Sequence, residues 1–142
     1  MKTIGRVIKV ICISLLVCSI ISFIGCYQTN EKDYYSDKNN FITGTAIVDN
    51  IIFDEETHQL YFWLSGIDEA YQDNTFKVEG ANVDVLLQSN LVETIKAGSH
   101  ITFVSAPRYF GDGYCMPIVA LSYNDEVLLP FDVGYANFMS LF

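Results

Sequence analysis

Positive charge is scarce in this chain, with 8 Lys and Arg against 17 Asp and Glu and a net charge of −9. Phosphate backbones are held by basic patches, so this balance excludes a nucleic-acid partner. Histidine is almost missing too, with His58 and His100 alone. Together with Cys115 they offer at most three zinc-type ligands and no second thiol, so no metal is expected. The acid run Asp54-Glu55-Glu56 lacks the spacing of a calcium loop and reads as a solvated turn. The sequence contains no nucleophile elbow, no phosphate-cradling glycine loop and no zinc-protease helix, which leaves no cofactor to expect. A long apolar run is lacking as well. The uncharged stretch from Val10 to Ile24 has 15 residues, where a spanning helix wants about 20.

What is present bounds the answer from the other side. Hydrophobic residues make up 51% of the chain, which excludes general disorder. A length of 142 residues is enough for one domain and hardly two. Lys2, Arg6 and Lys9 precede the apolar stretch without any acid, the layout of a secretory signal. Running on through Gly25, Cys26 and Tyr27 lengthens the uncharged segment to 18 residues, so an uncleaved anchor stays open as the alternative.

Phe23-Ile24-Gly25-Cys26 resembles the lipobox of bacterial prolipoproteins, in which a small residue precedes the cysteine that receives a diacylglycerol. Gly25 matches the small residue, and Phe23 stands where that family usually has an aliphatic one. Cys18 competes poorly, because Val17 is an unfavourable cleavage residue. The resemblance implies a signal peptide over 1–25, lipid attachment at Cys26, and a cell-membrane location facing the extracytoplasmic side. Residues 28–40 contain no aliphatic side chain, so 26–40 is expected to be a polar tether, with Tyr27, Tyr34 and Tyr35 solvated. A single β-rich domain then fills 41–142. Removing 1–25 leaves 5 bases against 17 acids, a net of −12, with Cys115 as the remaining thiol. An internal disulfide is then impossible even though the export route permits one.

The domain reads as strands separated by turns. Thr45 to Phe53 and Gln59 to Ser65 form a hairpin across the polar turn 54–58. Phe76 to Glu79 alternates apolar and charged residues, a short half-buried strand ended by Gly80. Val83, Leu86, Leu87 and Leu91 recur at helical spacing, with Asn82 placed as the N-cap and a further turn running to Lys96. His100 to Ser105 and Tyr114 to Tyr123 are strands, and Pro117 marks the second as an edge or bulge. Glu126 to Leu129 closes a final hairpin, and Asp132 is placed to cap a terminal helix.

This order resembles the OB-fold, a small β-barrel of five to six strands with one short helix between strands three and four. The alternative is an open mixed sheet with one packed helix. On an OB-like barrel the outer face of strands two and three takes ligands, which makes Tyr61 and Trp63 candidate binding residues. The opposing reading packs one aromatic face of that strand in the core and the other under the C-terminal tail. Arg108, Tyr109, Asp112 and Tyr114 form a second candidate group, in a tight glycine turn suited to grip a carboxylate and stack on a ligand. The opposing reading is a hairpin turn braced by its aromatics.

The function expected is therefore a non-catalytic, lipid-anchored binding domain for a basic envelope or secreted protein, or for a small ligand. A protective, immunity-like lipoprotein masking a cationic toxin or enzyme is the alternative. A thiol enzyme pairing Cys115 with His100 is the third reading, set against a buried inert cysteine.

Overall fold

The computed structural model describes residues 30–111 and 113–142. The chain divides into two compact units, Met1–Tyr34 and Tyr35–Phe142. Of the first, residues 30–34 are described and are helical. The signal segment and Cys26 lie outside the described residues, as does Asp112.

The second unit holds six strands: β1 (Ile42–Asp54), β2 (Gln59–Ser65), β3 (Thr75–Val78), β4 (His100–Ser105), β5 (Met116–Tyr123) and β6 (Glu126–Leu129). Helices α1 (Ala81–Gln88) and α2 (Leu91–Thr94) separate β3 from β4, and α3 (Phe131–Met139) follows β6. Antiparallel ladders join β3 to β2, β2 to β1, β1 to β4 and β4 to β5, and a parallel pairing of β3 with β5 closes the ring. The result is a closed five-stranded, OB-like barrel with β6 outside the ring, and not the open sheet. Closure removes the unpaired edges that so many short strands would otherwise expose.

β1 makes this possible by bending. Its β-branched sequence favours extended backbone, and the register slips between Val48 and Asn50, leaving Asp49 as the extra residue of a bulge. The first half of β1 pairs with β4 and the second half with β2. Pro117 is neither at an edge nor in a bulge of its own. It stands opposite Lys77 in the β3–β5 seam, which consists of that pair and Phe76–Met116. A residue without an N–H keeps this seam short.

Two apolar layers result. Inside the barrel, Leu60, Phe62 and Leu64 of β2 alternate inward and meet Phe76, Phe103 and Met116, with Val83, Leu86 and Leu91 of α1 and α2 joining the same core. Outside, α3 lies against β5, so β5 is buried on both faces from Met116 to Leu121. The outer layer is aromatic: Tyr35, Phe41, Phe110, Phe138 and Phe142 meet mostly edge to face at 4.8 to 6.1 Å.

Tyr35 belongs to this layer with no exposed surface. The compact unit thus begins at Tyr35 and not at Phe41, and residues 35–40 are part of it. One buried ring outweighs the polar composition around it. Two caps are corrected as well. Asn82 lies inside α1, which starts after Gly80, and is buried: its amide donates to the Gly134 carbonyl at 2.8 Å and accepts from Asn137 at 2.9 Å. It joins α1 to α3. Asp132 sits in the first turn of α3, whose N-cap is Pro130.

Candidate functional site

Alternation along β2 decides which aromatic residues face out. Leu60, Phe62 and Leu64 fill the barrel, so Tyr61 and Trp63 stand half-buried on the outside with ring centres 6.4 Å apart. The terminal helix packs on β5. The ladders set Tyr61 between Ile52 of β1 and Lys77 of β3, and Trp63 between Asn50 and Thr75. Ile52 is 46% exposed, so it extends the apolar strip toward solvent. Carboxylates edge this face: Asp49 in the bulge accepts from Ser65 at 2.8 Å, Asp54 is paired with Gln59 at one end, and Glu79 follows β3.

Lys77 is the base on this face, and it is engaged. Its ammonium lies 3.3 Å from Glu79 and 4.8 Å from the centre of the Phe110 ring, with its side chain 9% exposed. A carboxylate and a ring face together compensate for drawing the ammonium from water. Glu79 also accepts from Gln59 at 2.7 Å, and Gln59 in turn accepts a short hydrogen bond from the Tyr61 hydroxyl. Tyr61, Gln59, Glu79, Lys77 and Phe110 thus form one continuous network running from β2 to the loop 106–115.

That loop carries the second group of candidates. The Phe110 amide donates to the Cys115 carbonyl at 3.0 Å and closes it, while Gly111 supplies a φ of 67° that other residues rarely adopt. The Tyr109 amide donates to Gln72 at 3.0 Å, and its ring meets Tyr114 edge to face at 5.6 Å. Desolvation, and then the Asp73 carboxylate, push the Tyr109 hydroxyl above its ordinary value. Tyr114 is 78% exposed, and Arg108 is half-buried with its carbonyl engaged by Tyr35. Tyr61 and Trp63 adjoin on β2 and Tyr109 and Tyr114 adjoin in the loop between β4 and β5, and the Gln59–Glu79–Lys77–Phe110 network links the strand to that loop. Lys77, Gln59 and Phe110 were missed by sequence reasoning. A lone base in an alternating strand, two residues from an acid on the same face, was the available signal.

The remaining chemistry-bearing residues are dispersed. Ile101 pairs with Tyr123 and Ser105 with Ile118, which puts His100 and Cys115 at opposite ends of the β4–β5 ladder. His58 instead meets Asp84 of α1 at 3.0 Å and leans edge-on against Phe53. Asp54 accepts from the Thr57 hydroxyl at 2.7 Å and from the Glu56 amide at 3.0 Å; the Thr57 bond chiefly lowers its pKa. These carboxylate bonds fold the turn 54–58 upon itself. Among the described residues, no three His, Cys, Asp or Glu side chains form a cation site.

Cys115 is buried, and desolvation pushes its thiol up, with Lys77 opposing and Asp73 and Glu79 adding to the shift. A thiol whose folded pKa is raised favours the folded state below the ordinary thiol value. That contribution is lost as pH climbs through the raised one. At pH 8, iodoacetamide should label the peptide carrying Cys115 at least about tenfold more slowly in the native protein than in urea, because the thiolate is the reacting species. Equal rates would make Cys115 an available nucleophile and revive the thiol-enzyme reading.

No family model, no curated protein and no solved structure matches the chain.

Proposed function

We propose that the barrel is a non-catalytic, lipid-anchored extracytoplasmic binding domain that takes a basic protein segment on its Tyr61–Trp63 face. The observation that carries this reading is a half-exposed aromatic pair with Asp49, Asp54 and Glu79 at its borders and its Lys77 neutralised by Glu79. A lysine or arginine side chain gains on such a surface twice, by lying over the ring faces and by approaching the carboxylates. The acidic excess of the whole chain steers a cationic partner toward it. Lipid attachment at Cys26 is supported by the Gly25-Cys26 pattern after the apolar run.

Trp63 is the sole tryptophan, so its emission reports directly on this face. Titration with a Lys- and Arg-rich peptide should shift that emission saturably, and the affinity should fall steeply between roughly 0.05 and 0.5 M salt as the charges are screened. Tyr61→Ala should weaken binding about tenfold, the scale of an aromatic anchor at an interface. An acidic peptide that binds as well as the basic one would refute the partner chemistry. The anchor is tested apart from it: Cys26→Ala should release the domain or leave the precursor unprocessed, and unchanged processing and membrane retention would overturn the lipoprotein reading.

A further inference from the structure

Tyr35 occupies an unusual place relative to the binding loop. It lies 73 and 74 residues before Arg108 and Tyr109, yet its hydroxyl donates to both of their carbonyls, at 2.9 and 3.0 Å. One proton is shared between two consecutive acceptors. The same ring stands edge-on to Phe110 at 5.7 Å, so three successive loop residues are held by a single side chain. The Phe110 ring also carries the Lys77 ammonium, whose strand neighbour is Tyr61. Tyr35 is itself held: the Tyr135 hydroxyl of α3 donates to the carbonyls of Tyr35 and Ser36, at 3.1 and 2.9 Å.

A loop of this kind needs such support. It joins β4 to β5, and among its described residues the Phe110 amide donates to the Cys115 carbonyl and the Arg108 amide to the Ala106 carbonyl. Carbonyls turned away from a strand must find donors or remain in water. A buried phenol has the matching need, since its apolar ring packs while its hydroxyl requires a partner. Tyr35 meets both, and it fixes the backbone direction from which the Tyr109 side chain departs.

We propose that Tyr35 is a positioning residue for Arg108, Tyr109 and Phe110 of this loop, and that it thereby sets the affinity of the Tyr61–Trp63 face for a cationic segment. The second half of this statement rests on the binding reading above; the first half does not. Tyr35 has no exposed surface and reaches the face only through the loop. It acts by holding Arg108, Tyr109 and Phe110 in the arrangement that borders the face, so residues just outside the barrel strands belong functionally to the site.

Tyr35→Phe removes the hydroxyl and keeps the ring, so the aromatic layer survives the change. Hydrogen exchange of the full chain should show the Phe110 amide opening about tenfold faster in the variant, the loss expected for a hydrogen bond shared by two carbonyls. Amides of β1 and β2 should be unchanged. Tyr135→Phe, which loosens Tyr35 from behind, should move the same loop amides in the same direction by a smaller factor. Titration of Trp63 emission with the Lys- and Arg-rich peptide should show about fivefold weaker binding in Tyr35→Phe. Unchanged loop exchange overturns the positioning role, and so does a rise spread evenly through the barrel. Faster loop exchange with undiminished affinity overturns the link to binding. Wild-type protein that ignores the peptide defeats the binding reading and this link with it, while loop exchange still decides the positioning.

Discussion

Gly134→Ala is expected to lower the melting temperature by roughly 15 °C, from a loss of about 3 kcal/mol. Position 134 lies in the middle of α3, against the backbone of β5. A Cβ there would overlap the Val119 carbonyl oxygen, stand 2.8 Å from its carbon and press on Leu129 at 3.1 Å. Val119 is the bulged residue of β5, fixed between the Ile118 and Ala120 pairings with β4, so the helix must lift. Lifting it disturbs the Gly134–Asn82 bond and the aromatic layer that includes Phe138. Helix propensity points the other way, since alanine is favoured over glycine by about 1 kcal/mol in a helix interior. The sign of the change therefore separates the two effects. A variant melting at or above the wild-type temperature would mean that α3 does not dock at this distance.

Phe76→Ala should cost about 4 kcal/mol in urea unfolding, the middle of the range for a fully buried phenylalanine. Phe76 has no exposed surface and meets Phe103 at 5.2 Å and Tyr71 at 5.3 Å, both edge to face. Its neighbours across the sheet are Phe62 of β2 and Met116 of β5, so it fills the core exactly where the barrel closes. The seam there has two residue pairs, one of them containing Pro117. Phe103→Ala removes the same ring from the same cluster but sits on the longer β1–β4 ladder. The two variants should be similarly unstable, yet only Phe76→Ala should speed hydrogen exchange in β3 at denaturant concentrations well below the midpoint. Equal exchange in both would show that the seam owes nothing special to this ring.

The order of strands and helices was readable because each element carries its own local signal. QLYFWLS has five large apolar residues in a row, three of them aromatic, and is preceded by an acidic turn, and the apolar spacing after Gly80 is helical. Which face of β2 turns inward was not readable, because all five central residues are large and apolar; the ladders with β1 and β3 decide it. The seam was hidden for a related reason. Parallel pairing of β3 with β5 joins segments about 40 residues apart through two pairs, and no turn residue announces it. Asn82 looks like a cap by position and spacing, but its amide serves α3 because Gly134 lets that helix come close. Tyr35 was concealed by its neighbours: a composition window over 28–40 averages one anchoring ring with a dozen polar residues. Tyr61 and Trp63 were found as candidates from their residue type, whereas the Gln59–Glu79–Lys77 network linking them to the loop needed the register.

The outer aromatic layer has a topological consequence. Tyr35 opens the compact unit and Phe142 ends it, and their rings lie 6.0 Å apart. The two ends of the unit are held together by packed aromatic side chains, so the chain from 35 to 142 is already a loop closed without a covalent bond. A peptide linker of a few residues could complete that loop, and new termini could be opened in the exposed turn 55–57 between β1 and β2. A circularly permuted barrel of this design would keep every strand pairing and would carry its free ends at the β1–β2 turn, next to Asp54 and Gln59.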